Sequence, residues 1–338
     1  MNALELRNIT YTYSKKTPFE HTALKNVTAL FEAGRVNGLI GHTGSGKSTL
    51  VQMMNGILKP EDGGEVLLFG KNIWDDPKKI RDVRFRAGIV FQYPEYQLFE
   101  ETCEKDIAFG PRNMGLSEDE IKRRVRSAAE FVGLDDNVLY KSPFDLSGGQ
   151  KRRVALAGVM AMEPEVLILD EPAAGLDPIG REEVFGGIRS YQKTRGNTVI
   201  IVSHSMEDVA AYCDTLTVLK DGEVMLTGDC AEVFRHEKEL TECGLGVPKI
   251  SRFMRLLREK GIDVSEGIYT VDAALDEVLR LLGKTGENGS ENKNAGKFDN
   301  SDKIGNKAEN SDKNEIKGED GSEGGKDNTN ENGGQIDA

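Results

Sequence analysis

Four cysteines, a single tryptophan and no apolar run approaching the roughly 18 residues of a membrane span already narrow what a chain of 338 residues can be. Cys103, Cys213, Cys230 and Cys243 stand far apart, with no C-x-x-C pair and no neighbouring histidine suited to zinc. A disulfide framework and a zinc site are therefore not expected, and the thiols read as reduced and cytosolic. The opening residues MNALELRNIT carry no basic segment followed by an apolar stretch, so no signal peptide is expected. The apolar stretches 166–169 and 199–202 are long enough only for buried strands. Positive charge is also in short supply: 44 Lys and Arg against 57 Asp and Glu give −13. That balance argues against a nucleic-acid partner, which would favour a basic stripe. Work at a membrane would require recruitment by another subunit.

A hydrophobic share of 38% suffices for a sizeable core. The composition changes near Gly283: residues 284–338 are dominated by Asn, Gly, Lys, Asp, Glu and Ser, repeat the tetrapeptide NSDK and carry a net −5. Such a tail does not bury enough apolar surface to offset its chain entropy, and an acidic, disordered, polar tail is expected there. Before it, strand-like and helical segments alternate, as in an α/β domain with a largely parallel sheet. Residues 36–40 read as a buried strand running into glycines and 47–55 as the helix that follows. Ser117 with Glu120 reads as a capping box heading an amphipathic helix to Val132, with Gly133 as its C-cap. Asp221-Gly222 between two strand-like stretches reads as a hairpin turn. Residues 250–260 and 271–282 read as two further helices. The expected division is a nucleotide-binding domain over 1–228, with a helical subdomain at about 93–165, then a C-terminal appendage over 229–283.

The chemistry sits in three motifs. Gly41, His42, Thr43, Gly44, Ser45, Gly46, Lys47 and Ser48, followed by Thr49, match G-x-x-x-x-G-K-[ST] between a strand and a helix. The glycines let backbone N–H groups close around phosphates under the positive end of the helix dipole. Lys47 would reach the β- and γ-phosphates and Ser48 would ligate Mg²⁺. VLILDE places Asp170 and Glu171 at the carboxyl end of an apolar strand, the edge where ligands of parallel sheets bind. Asp170 suits Mg²⁺ and Glu171 suits an attacking water. In Leu146-Ser147-Gly148-Gly149-Gln150, Ser147 caps an expected helix over 151–162, a second helix N-terminus fit for a phosphate. One ATP has one γ-phosphate, so two such sites on one chain point to a head-to-tail pair sharing its nucleotides.

GHTGSGKST, LSGGQ and LILDEP in this order resemble an ATP-binding cassette domain over about residues 2–240. The resemblance implies a P-loop α/β fold with a mixed core sheet, an antiparallel β subdomain and a helical subdomain. It makes Gln92 a glutamine that touches Mg²⁺ and the attacking water and links the site to a membrane partner. It makes Tyr13 an adenine-stacking ring, with Tyr11 as the competing choice, and Asp177 a contact to the opposite subunit. His204 becomes the histidine that senses the γ-phosphate. Ala173 departs from the Thr or Ser common after Glu-Pro.

The stretch FQYPEYQLFEETCEKDIAFGPRNMGLSEDE narrows the likeness to the energy-coupling factor ATPases of vitamin and metal-ion importers, and the chain's opening and GVPKISRFMRLLREKGIDV are similar to the second ATPase subunit of that family. Implied partners are a homologous ATPase, a transmembrane coupling protein and a small substrate-binding membrane protein, at the cytoplasmic face of the cell membrane. The appendage would hold the ATPase pair together. A cobalt or nickel importer ATPase is a near alternative. A soluble cassette of translation or DNA repair fits less well, since one cassette is present and no sustained heptads separate Lys47 from Ser147.

Overall fold

The computed structural model describes residues 1–61 and 63–283; the polar segment 284–338, expected to lack structure, lies outside these residues. An antiparallel sheet is formed by β1 (Asn2–Tyr13), β2 (His21–Glu32), β4 (Glu65–Leu68) and β5 (Lys71–Asn72), in the order β2-β1-β4-β5. The central sheet holds β3 (Val36–Gly41), β6 (Ala87–Val90), β7 (Val166–Asp170), β8 (Thr198–Val202), β9 (Thr215–Lys220) and β10 (Glu223–Asp229), ordered β10-β9-β3-β8-β7-β6. All its neighbours pair in parallel except β10, which folds back on β9 through the expected Asp221-Gly222 turn. Asp221 at φ +50° and Gly222 at φ +84° give the double left-handed turn that suits strand twist.

Why these strands are apolar throughout is visible in their alternation. On β7 and β8, Leu167, Leu169, Val199 and Ile201 enter one core, while Val166, Ile168, Ile200 and Val202 enter another. Successive side chains point to opposite faces, so a sheet covered on both faces reads as an unbroken hydrophobic run. One face is covered by the antiparallel sheet, α1 (Lys47–Met54) and α2 (Ile80–Arg86). The other is covered by α3 (Cys103–Asn113), α4 (Glu118–Phe131), α5 (Asp136–Leu139), α6 (Gly148–Met160), α7 (Pro178–Arg195) and α8 (Met206–Tyr212). The chain then adds α9 (Cys230–Val233), α10 (Glu237–Glu242), α11 (Lys249–Glu259) and α12 (Val271–Leu281). Met254, Val264 and Ala274 make a small core of their own between the last two.

Two local expectations are corrected. The helix expected over 151–162 begins at Gly148 and ends at Met160. Ser147 and Gln150 close a reciprocal capping box, so both glycines lie inside the first turn, where N–H groups need no helical partner. At α4, Ser117 does cap the Glu120 N–H, but the Glu120 carboxylate turns to Arg123 and Arg124 at 2.6–2.8 Å instead of reaching back. Several bonds from two guanidinium cations win over the single return bond to the Ser117 N–H. Gly133, at φ +65°, ends this helix as expected, with Leu134 N–H donating to the Ala129 carbonyl.

Candidate active site

Four adjacent parallel strands, β3, β8, β7 and β6, end at the same edge of the sheet. The residues that leave them are the phosphate loop after β3, Ser203 and His204 after β8, Asp170 and Glu171 at the end of β7, and Gln92 after β6. The carboxyl edge of a parallel sheet is thus where residues far apart in sequence meet. Gln92, Glu171, Ser203, His204, Arg181 and Asp208 line one cleft of about 270 Å³.

Glu171 departs from the strand in a left-handed conformation, φ +52°, with its N–H donated to the Val202 carbonyl at 2.9 Å. A non-glycine residue held there costs on the order of 1 kcal/mol and persists where the surroundings enforce it. The turn brings its carboxylate within 2.6 Å of His204 Nδ1, which donates to it. Glu171 is mostly buried and His204 mostly exposed, so the pair spans the wall and the mouth of the cleft. Asp170 beside it is buried, and burial followed by the Glu171 charge pushes its carboxyl up to about 6, with Lys47 pulling the other way. Burial also lowers the Lys47 ammonium, against the attraction of Glu171 and Asp170. The two carboxylates and one ammonium therefore form a strained electrostatic cluster ready for a counter-charge.

The phosphate loop encloses Lys47: its Nζ donates to the Gly41 carbonyl at 2.7 Å and the His42 carbonyl at 2.9 Å. Gly46 sits at φ +102°, and a Cβ there would meet the Ala23 carbonyl at 2.7 Å. Gly46→Ala is expected to lower the melting stability of the nucleotide-free chain by about 1–3 kcal/mol and to weaken ATP binding at least tenfold, read by calorimetry. An unchanged affinity would show that this conformation is not needed. The hairpin turn braces the loop from outside, a role its sequence did not disclose. Gly222 N–H donates to the Ser45 carbonyl at 3.1 Å, and His42 Nε2 lies 3.3 Å from Asp221 Oδ1.

Tyr13 ends β1 with its hydroxyl 3.2 Å from Thr49 Oγ1, and its ring is the more exposed of the two tyrosines, while Tyr11 packs edge-on against it and onto the core. Asp177 caps α7 by accepting from Gly180 N–H at 2.7 Å. Ser147 and Gly148 are exposed at the head of α6, and none of the LSGGQ residues lines the Gln92–Glu171–His204 cleft. Sequence reasoning missed Arg181, paired with Asp208 at 3.2 Å in the cleft wall, and Arg152. The signal for Arg152 was present: it shares a four-residue spacing with Leu156 and Met160, the buried stripe of α6.

A family profile described as ABC transporter matches residues 24–174. The chain is 55% identical over 280 residues to the energy-coupling factor transporter ATP-binding protein EcfA2 of Clostridium acetobutylicum, spanning 82% of this chain and 98% of that protein. With the EcfA2 of Clostridium perfringens it shares 53% over 281 residues, 83% of this chain and 98% of that one. Among solved structures, cbiO1 from Clostridium perfringens, part of the ABC transporter complex cbiONQ, matches with TM-score 0.64 at 42% identity, covering 75% of this chain and 99% of that one. The ATP-binding cassette MJ0796, solved as a dimer in a post-hydrolysis state with ADP and Pi, matches with TM-score 0.60 at 29% identity, covering 67% and 98%.

Fold and site together define an ATP-binding cassette ATPase. Within that class the chain belongs to the energy-coupling factor transporter ATP-binding proteins of the EcfA2 type, the ATP-hydrolysing subunits of such importers.

Proposed function

We propose that the cleft hydrolyses MgATP with Glu171 as the group that polarises water, and that the chain works as one half of an ATPase pair powering an importer of vitamins or other micronutrients. The observation that carries this reading is the convergence of Lys47, Asp170, Glu171 and His204 on one sheet edge, with Glu171 and His204 in contact. Lys47 holds the β- and γ-phosphates inside the loop, Tyr13 offers a ring to the base, and His204 reports the γ-phosphate to Glu171. The oxygen donors of Ser48, Gln92 and Asp170 suit the hard Mg²⁺ ion, and the crowding of Asp170 by Glu171 is what a divalent cation relieves. Ser48, Gln92 and Asp170 would hold the ion, which would supply positive charge against the negative charge that develops on the phosphates.

Ser147, Gly148, Gly149 and Gln150 lie at a separate helix N-terminus and serve the ATP of a partner cassette, with Asp177 facing that partner. The dimeric form of the structural neighbour MJ0796 supports this pairing. The division into a cassette over 1–228, with its helical part at about 93–165, and a pairing appendage over 229–283 follows the same reading. It is supported by the separate small core of the last helices and by the exposed Phe253, Leu256, Val271 and Leu275 on them.

No helix among the described residues is long and apolar enough to cross a membrane. The chain sits peripherally on the cytoplasmic face through a transmembrane coupling protein, beside a small substrate-binding membrane protein. The segment after Gln92 exposes Tyr93, Tyr96 and Phe99, with Tyr93 beside Tyr96 and Phe109 packed edge-on against Phe99, exposed aromatic surface of the kind that marks a docking site. All four native cysteines are buried, so a cysteine placed at Tyr96 is the accessible thiol for crosslinking. In native membranes Tyr96→Cys is expected to crosslink to an integral membrane protein. Crosslinks to soluble proteins alone would overturn the docking assignment.

A further inference from the structure

The side chain of Arg152 is 4% exposed, in a helix whose first turn faces solvent. It makes a two-pronged contact with the Glu95 carboxylate: Nε donates to Oε2 at 3.2 Å and Nη2 to Oε1 at 3.1 Å. Its third arm, Nη1, donates to the Ala174 carbonyl, and its carbon centre lies 5.9 Å from the Tyr93 ring centroid. Glu95 lies in the short 3-10 turn Pro94–Gln97, and Tyr93, at φ +57°, is its N-cap. Ala174 is three residues beyond Glu171 and donates its own N–H to the Glu171 carbonyl at 3.2 Å.

Three elements therefore meet on one side chain: the helix headed by Ser147, the aromatic segment after Gln92 and the loop leaving Glu171. A buried ion pair is weak evidence for stability, because desolvation offsets the attraction. What a bidentate fork does supply is fixed geometry, since its planar donors match a carboxylate in one orientation. Arg152 is five residues beyond Ser147, about 7.5 Å along a helix at 1.5 Å per residue. The reciprocal cap of Ser147 and Gln150 ties the head of the helix to its first turn, so Ser147 and Arg152 sit on one continuous hydrogen-bonded element.

We propose that Arg152 is a positioning residue that transmits engagement of Ser147 with the partner's nucleotide to this chain's own Glu171 loop and to the segment beginning at Tyr93. The two nucleotide sites of the pair are thereby coupled to each other, and both to the docking face, through one guanidinium. Ala174 gives the route to the cis site and Glu95 the route to the membrane partner. The inference rests on the head-to-tail pairing proposed above.

The test uses the assembled transporter in membranes, with steady-state hydrolysis measured against ATP concentration. Arg152→Lys keeps the charge and the buried stem but loses the fork; Glu95→Gln keeps the shape of the acceptor and loses its charge. Binding of a fluorescent ATP analogue is expected to stay within about twofold of wild type in both, since neither residue touches the phosphate loop. Turnover is expected to fall at least tenfold, with the Hill coefficient dropping from near two, the limit for two coupled sites, towards one. The double variant is expected to lose no more than either single one, the signature of groups acting as a unit. Additive losses, retained cooperativity, or a lowered melting temperature with unchanged cooperativity would overturn the proposal. Ser147→Glu, which sets a carboxylate against the partner's phosphates, separates the two levels of inference. If it leaves turnover intact, the pairing fails and the coupling falls with it; if it abolishes turnover while Arg152→Lys remains cooperative, only the coupling falls.

Discussion

Glu171→Gln is expected to lower ATP turnover by about 10²–10⁴-fold, the range that a positioned general base contributes, while MgATP binding stays near wild type. Gln is isosteric with Glu, so the left-handed turn at φ +52° and its bond to the Val202 carbonyl persist. What is lost is the negative charge and proton affinity of the atom 2.6 Å from His204 Nδ1. The phosphate loop, where Lys47 is enclosed by the Gly41 and His42 carbonyls, is untouched. Binding energy that would otherwise be released by hydrolysis then holds the closed pair, and a stable ATP-dependent dimer is expected on size-exclusion chromatography. The replacement also removes one of the charges that crowd Asp170. Stability without nucleotide therefore rises or holds, so a drop in turnover is not a folding defect. Turnover within a few-fold of wild type would remove Glu171 from the catalytic role.

Much of this site was legible because its motifs carry their own structural context. A strand entering glycines and leaving as a helix locates Lys47, and an apolar run ending in two acids locates Asp170 and Glu171. The energy-coupling factor family was legible too, from the stretch after Gln92, and relatives at 53–55% identity share it. What the sequence hid were contacts between segments distant along the chain. The Asp221-Gly222 turn announces a hairpin but not that its tip holds the phosphate loop through Ser45, a partner 177 residues away, because a turn's local energetics carry no record of what it packs against. Arg152 was hidden differently. A charged residue within a run of basic ones reads as solvated surface, and only the four-residue spacing to Leu156 and Met160 says that it faces inward. The start of α6 was misplaced for a related reason. Glycine lowers helix propensity in an interior, but in a first turn fixed by the Ser147–Gln150 box that penalty is outweighed by the cap.

Asp170→Asn is expected to stabilise the nucleotide-free chain and to abolish most of its hydrolysis, two opposite effects of one atom replacement. The Asp170 carboxyl is pushed from 3.8 to about 6 by burial and by Glu171. A folded-state value above the unfolded one means that the folded chain binds this proton more tightly. Ionised Asp170 therefore destabilises the fold, by up to about 3 kcal/mol when 1.36 kcal/mol is taken per pH unit. The cost is absent below about pH 4, develops as pH rises through 4 to 6, and is present in full above 6. Asn carries no such cost, although it withdraws a partner from Lys47, so the net gain at pH 7.5 is expected at about 1–3 kcal/mol and to shrink towards pH 4. Thermal melts of both proteins without nucleotide or divalent cation, taken from pH 4 to 8, check this. With Mg²⁺ and ATP added, the order of function reverses, because a neutral amide supplies no charge to hold the cation, and turnover is expected to fall at least a hundredfold. A variant less stable than wild type at pH 7.5, or a stability difference independent of pH, would show that the strain at Asp170 is not electrostatic. Stability given up at one carboxylate is the expected signature of a site shaped for a charged substrate rather than for the resting fold.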